Sequence, residues 1–532
     1  MMESSEDDQV VAQSQSSIPE ESTRGSTRVS DYDGPKQLHT LREAAALVFT
    51  LTGATFLNTF SAYAVVILIP TISKDLNILE IRQQWVVSAF SLTLGCFLVL
   101  CGKLGDVCGK RIFFVLGCVW VAATSIAAAF APSEIALDIF RALQGLGGAI
   151  TLPTSMGILG STIPPGRVKN YSFAFYSGGA PAGQVLGNIL GGVITQYSNW
   201  KVVFFIIAGA NLVIAVLGLV SIPKERKAVD LALLPQIDWI GAFLFTTSLL
   251  LLLVALSQGN SAGWKTAYVI ALLIISVFLF VGFVFWQRYL EFRTAREPLI
   301  RTSVFQNSPF LIAMVIFTLF AAAFTNYLIY STYFYQEYLL LDTLHTAFRF
   351  IPLGIVGICI ATMSGYLLDR VRGNYILIFG LVSTAISNIL FAAPIPPSTT
   401  YWAYGFPAMC LAAFGADTIY PCLGLFTTQS LPQKDQALAG AMFQTVNGIG
   451  RAISLSIASA IETAVQTKDE KNMDAMEALL KGFRSVQWFN AACATVALVA
   501  TVVGLRNMGK IGLLKKLGQV QRLEREKDNV CV

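Results

Sequence analysis

The 532-residue chain alternates long apolar runs with short polar connections. Runs of about 20 residues, the length that crosses a hydrocarbon core of about 30 Å, fall near 45–69, 83–101, 111–131, 135–162, 171–195 and 200–221. A charged stretch from Pro223 to Asp238 follows, then two more runs near 239–257 and 266–286. Six further runs lie near 309–334, 346–367, 375–393, 401–428, 437–461 and 485–505. The pattern predicts an all-α integral membrane protein with fourteen transmembrane helices.

A repeated turn gives a second count. Gly102-Lys-Leu104-Gly-Asp106-Val-Cys-Gly109-Lys110-Arg111 follows the second run, and Gly365-Tyr-Leu-Leu-Asp369-Arg370-Val-Arg372-Gly373 follows the tenth. Both carry Gly-x-Leu-x-Asp with basic residues behind it, and Gly102 to Gly365, like Asp106 to Asp369, spans 263 positions. The copies stand eight helices apart, where a plain six-plus-six duplication would put them six apart. Two helices are therefore inserted between two six-helix bundles. Duplicated bundles that rock around a central site are the build of a secondary transporter. The expected organisation is a polar tail over 1–43 that buries too little to fold, a six-helix bundle over 44–222, and a linker with the two extra helices over 223–308. A second six-helix bundle over 309–508 and a basic tail over 509–532 complete the chain.

Composition agrees, with 55% hydrophobic and 13% charged residues. The net charge of +5 is scattered through short loops, which argues against a nucleic-acid partner. Lys103, Lys110, Arg111, Arg167, Lys169, Arg288, Arg293, Arg296, Arg301, Arg370 and Arg372 all fall on one side under this count. That side is expected to be cytoplasmic, as are both termini, with the long Gln466 to Lys481 loop external. No cleavable signal precedes the first span, which would itself target the chain to the cell membrane. Asn170-Tyr-Ser172 matches a glycosylation acceptor but lies on the cytoplasmic side, so it is read as chance. Nine cysteines show no metal or disulfide spacing and read as small buried hydrophobes. His39 and His345 lie outside mid-membrane positions.

The turn at Gly102 to Arg111 resembles the signature loop of the major facilitator superfamily, Gly-x-Leu-x-Asp-Arg-x-Gly-Arg-Lys, and departs from it at Val107. Leu137-x-x-x-Arg141-x-x-Gln144-Gly145-x-Gly147-Gly148-Ala149 resembles that family's fourth-helix motif. Gly183-x-x-x-Gly187-Asn188-x-x-Gly191-Gly192 resembles its antiporter motif, with asparagine where proline is usual. With fourteen spans, the chain is similar to the fourteen-span drug/proton antiporter branch, in particular to fungal aminotriazole-resistance and toxin-efflux pumps. The resemblance covers roughly 44–508. It implies the major facilitator fold and proton-coupled efflux of small amphipathic organic molecules by alternating access. The implied partners are protons, a small-molecule substrate and the lipid bilayer. A monomer without cofactor, metal or enzymatic activity is expected. An importer or facilitator of a small solute is the alternative, since only the motif at Gly183 speaks for export.

Several residues carry the expected chemistry. Asp106 can face the positive N-terminus of a helix in the other half and so favour one state of the rocker. Arg141 inside a span costs about 2.5–3.5 kcal/mol and needs a partner or a watery cavity. Two readings stand for it: a static pair with Asp138, or a role with Asp138 and Gln144 in handling substrate or proton. Glycines four apart in the fifth span allow another helix close. Many antiporters of this branch carry an aspartate in the first helix; Leu57 to Pro70 contains none here. Asp417, midway along Tyr401 to Thr428, is the best remaining acid for a proton. Arg451 falls at the same depth on the antiparallel neighbour, so the two form either a permanent pair or one that parts during transport. Phe317, Phe320, Phe324 and Tyr327, with Asn326 and Gln336, could line a substrate cavity or could simply pack.

Overall fold

The computed structural model describes residues 41–510 except 79, 84, 165, 225–234, 236, 295, 297, 307, 395, 397, 398, 432–435, 470–473 and 507. The expected tail residues 1–40 and 511–532 lie outside the described residues. The helices are α1 (Leu41–Leu76), the single turn α2 (Glu80–Gln83), α3 (Trp85–Cys108), α4 (Lys110–Ala129), α5 (Glu134–Thr162), α6 (Arg167–Tyr197), α7 (Lys201–Ser221) and α8 (Trp239–Ala262). They continue with α9 (Ala267–Arg293), α10 (Ser308–Tyr333), α11 (Thr343–Arg370), α12 (Gly373–Ala392), α13 (Tyr401–Ser430), α14 (Gln436–Asp469) and α15 (Ala475–Gly504).

Twelve of these helices are long and apolar enough to cross a membrane, so the chain is a multi-pass membrane protein. α6 and α14 do not reach that apolarity, so the expected count of fourteen is not met on composition. The reason is their position. α6 packs on α1, α11 and α13, and α14 packs on α3, α5, α10 and α15. A helix covered by protein on several sides needs little apolar surface, and small residues serve it better. The expected long loop from Gln466 to Lys481 is also shorter, because α14 runs to Asp469 and α15 starts at Ala475. Apolar windows end at the membrane face, while helical hydrogen bonding continues into polar residues beyond it.

Two sets of helices pair internally. α1 packs with α6 and α7, and α5 with α3 and α4; α12 packs with α13 and α15, and α10 with α14 and α15. The sets meet through α6 on α11 and α13, and through α14 on α3 and α5. α8 and α9 pack on each other, and α8 also touches α3 and α14. Asp238 anchors this pair: its carboxylate accepts from the Gly241 N–H (2.8 Å), Trp286 Nε1 (2.8 Å) and Gln287 Nε2 (2.5 Å). α9 leaves Phe278 and Phe285 more than 70% exposed, as a lipid-facing surface requires. Between α3 and α4 the chain reverses at Gly109, whose φ of 92° is a backbone conformation that favours glycine.

Candidate functional site

The two repeated turns lie at the same end of the bundle, and each aspartate reaches across to the other half. Asp106, near the end of α3, accepts from the backbone N–H of Leu438 (3.0 Å) in the first turn of α14. N–H groups at a helix start have no partner within the helix and carry positive partial charge, so a carboxylate suits them. Lys110 pairs with the same carboxylate at 3.2 Å. Asp369, at the end of α11, accepts from Asn170 Nδ2 (2.7 Å) and pairs with Arg167 Nε (3.5 Å), both in the first turn of α6. Arg167 is largely exposed, so its ion pair is screened; Asn170 is fully buried and carries the contact. α6 and α11 touch closely here, since a Cβ on Gly365 would stand 2.9 Å from Tyr171 Cα. Gly102 is buried and Leu104 half-buried beside the first turn. Arg111 donates to the Leu219 carbonyl, and Arg370 lies 4.3 Å over the Tyr366 ring, so both basic residues stay within their own half.

Arg141 is fully buried, and it forms no ion pair with Asp138. Its Nε donates to the Val86 carbonyl (3.0 Å), and its Nη1 donates to Gln144 Oε1 (2.7 Å) and Ser61 Oγ (3.2 Å). Its guanidinium lies 4.6 Å over the Phe90 ring. Gln144 in turn donates to Ser125 Oγ (2.8 Å). The charge is thus held by oxygens and a ring face from α1, α3 and its own helix, and among the described residues Nη2 has no hydrogen-bond partner. Asp138 is half-buried, has an unpartnered Oδ1, and borders a cavity of about 420 Å³ with Arg82 and Trp85.

The antiporter-like glycines form a seam inside the first half. A Cβ on Gly183 would stand 2.3 Å from the Phe56 carbonyl oxygen, on Gly187 3.0 Å from that of Phe60, and on Gly191 3.0 Å from that of Ala64. The row lays α6 backbone against α1 backbone. Asn188 and Gly192 are half-buried beside it.

Asp417 and Arg451 do not pair. Asp417 is 2% exposed, and among the described residues its carboxyl has no hydrogen bond or ion pair. Arg451 is exposed and lies within electrostatic reach of Tyr420, whose hydroxyl donates to Asn447 Oδ1 (3.1 Å). The antiparallel arithmetic sets depth but not direction around the helix axis, and the carboxyl of Asp417 turns toward α11 instead.

The expected aromatic cavity wall is packed core in this structure. Phe317 stacks on Phe443 at 3.9 Å, and Phe317 and Phe320 meet Tyr420 edge-on. Phe324 is buried on Phe320, and the Tyr327 hydroxyl meets Met409 Sδ at 3.6 Å. Asn326 is buried and donates to Asn490 Oδ1 at 3.3 Å. Gln336 is half-buried in the single π-turn Phe334–Tyr338. Sequence reasoning missed Asn170 as the partner of Asp369. Its Asn-x-Ser triplet marked the residue for a different reason.

Two helical bundles of one design, joined across a mirrored pair of aspartate contacts, define a secondary transporter. The chain belongs to the Major Facilitator Superfamily, whose family model matches residues 51–455. It is 33% identical over 414 residues to the low affinity ammonium transporter of Saccharomyces cerevisiae, covering 77% of this chain and 78% of that one. It is 29% identical over 427 residues to the aminotriazole resistance protein of the same yeast, covering 78% and 75%. The human organic anion transporter MFSD10 shares the fold, with a TM-score of 0.61 at 12% identity over 86% of this chain and 99% of that one. Fungal efflux pumps and multidrug transporters are also among the chain's relatives.

Proposed function

We propose that this chain is a proton-coupled exporter of small amphipathic organic molecules, a class that takes in drugs, toxins and secondary metabolites. It would work by alternating access between bundles at 44–222 and 309–508, with 223–308 as the linker. The observation that carries this reading is the mirrored latch, Asp106 on the first turn of α14 and Asp369 on the first turn of α6. Contacts that close one end of a two-bundle carrier must part when that end opens. α6 and α14 count as spans in this reading, giving fourteen, because each is longer than the about 20 residues a crossing needs. The latch end is then cytoplasmic in the cell membrane, with both termini on that side, since the basic turns lie there. Export is supported by the glycine row on Gly183 and by the efflux relatives. Proton coupling has Asp138, Arg141, Gln144 and Asp417 as candidate groups, all within or at the edge of the bundle. Protein in the bilayer is taken to act as a monomer.

A second reading, uptake or facilitated passage of a small solute, is favoured by the similarity to the yeast ammonium transporter. One experiment separates the two. Cells with and without the protein are loaded with a panel of toxic organic compounds, with and without a proton uncoupler, and a parallel arm measures uptake of labelled methylammonium. Uncoupler-sensitive loss of an organic compound supports export; methylammonium uptake with no organic efflux would overturn it.

A further inference from the structure

The hydrogen-bond ladder of α13 has a gap at Asp417. Pro421 follows four residues later inside the helix and has no N–H, so the Asp417 carbonyl lacks its intrahelical donor. The donor comes from the neighbouring helix: Ser364 Oγ of α11 donates to that carbonyl at 2.6 Å. The Asp417 side chain lies against the same helix two turns earlier, where a Cβ on Gly357 would stand 2.7 Å from Oδ2. Residues 357 and 364 share one face of α11. That helix therefore meets a single residue of α13 twice, bonding its carbonyl and packing against its carboxyl. Further along, α11 ends in Asp369, which holds Asn170 of α6. From 357 to 369 is about 18 Å of continuous helix.

We propose that Asp417 is a proton-binding site whose occupancy sets the packing of α11 on α13 and, through α11, the latch at Asp369. The inference rests on the proton-coupled reading above. With a proton, the carboxyl is neutral and fits the apolar seam in which it lies. Without one, an ion stands there with no counter-charge among the described residues, and an unpaired ion in such a place is strongly disfavoured. The contact with Gly357 then opens, the bond missing at Pro421 lets α13 bend there, and α11 carries the displacement to its end. The charged and titratable groups around the site do not quench this. Tyr420 lies one turn away on α13, and Arg451 of α14 and Tyr63 of α1 act on Tyr420. α11 brings Gly357 and Ser364. α5, α6, α10 and α12 bring Met156, Phe173, Phe320 and Thr384 to this part of α13, and none of these titrates.

The test reads the latch directly. Nitroxides on Lys224→Cys and Tyr375→Cys, at the latch ends of the two halves, report their separation by electron double resonance in lipid nanodiscs without substrate. The half-buried and exposed native cysteines are replaced beforehand. Moving from mildly acidic to mildly alkaline buffer should shift the wild-type population toward the longer distance by roughly tenfold. Asp417→Asn, close in shape and permanently neutral, should hold the short distance throughout. Ser364→Ala, which frees the Asp417 carbonyl, should bring in the long distance at more acidic buffer than wild type. An Asp417→Asn protein that tracks wild type, or a wild-type distance indifferent to buffer, overturns the proposal. Should Asp417→Asn fail to fold, an Ser364→Ala transition identical to wild type overturns it as well. A protein that exports nothing in the cell assay yet keeps the Asp417-dependent shift would refute the exporter reading and leave this one standing.

Discussion

Asn170 of α6 gives its side-chain N–H to Asp369 of α11 at 2.7 Å, and Asn170 is fully buried where it does so. Arg167, which also meets that carboxylate, is mostly exposed, so the buried Asn170 is the sheltered contact of the two. Asn170→Ala should therefore open the latch end while leaving the fold intact. A coupling of about 1–3 kcal/mol corresponds to a population shift of about 5–150-fold. The spin-label distances described for Lys224 and Tyr375 check it, and an unchanged distribution would remove Asn170 from the latch.

Asp106 is the mirror case. Asp106→Asn keeps an acceptor for the Leu438 N–H but loses the charge that the helix start and Lys110 favour. Transport should fall while expression and insertion stay normal, and Asp106→Asn combined with Asn170→Ala should fall further than either alone. Full transport in a well-expressed Asp106→Asn protein would sink the gating role.

Both aspartates were legible in sequence because the repeated turn made them stand out. That Asp106 would face a helix start in the other half was legible as well; which helix and which N–H was not. Leu438 offers a backbone group with no side-chain signature, 332 positions from Asp106, and only the folded juxtaposition selects it. Arg141 shows the same limit. Its need for partners followed from burial energetics, and Gln144 was within reach along the helix. Ser61 and the Val86 carbonyl come from other helices and leave no mark in the local pattern. Helix positions were legible as apolar runs, α6 and α14 included, although both are too rich in small and polar residues to qualify as spans on apolarity.

Arg141→Lys keeps the charge but should still lose stability and transport. A lysine ammonium cannot reproduce the fork that serves Gln144, Ser61 and Val86 together. Each buried acceptor left unserved costs about 1–3 kcal/mol. The expected result is a lower melting temperature in detergent and strongly reduced transport; wild-type values for both would show that a point charge suffices.

Gly183→Ala should be poorly tolerated. Its methyl would meet the Phe56 carbonyl oxygen at 2.3 Å, and backbone cannot swing aside as a side chain can. Overpacking of this kind costs about 1–3 kcal/mol or more. Gly209→Ala on α7, where a Cβ meets nothing within 4 Å, is the matched control. Equal thermal stability of the two variants would contradict the close seam between α1 and α6.

Topology has its own check. Epitope tags at either terminus should be reached by antibody only after the cells are permeabilised, and Asn170 should carry no glycan. Surface labelling of an intact cell at either tag would reverse the orientation.

The α8–α9 pair gives the molecule two unlike flanks. α8 touches both α3 and α14, and Ser456 of α14 donates to the Leu256 carbonyl of α8 at 3.3 Å. One seam between the halves is therefore roofed by a helix that contacts both of its walls. The other seam, between α6 and α11, is met instead by α13 of the second half, which packs on both. The inserted pair therefore adds a tie between the halves along the α3–α14 flank, while on the other flank α6 and α11 close directly on each other, a Cβ on Gly178 falling 3.6 Å from Ala361 Cβ.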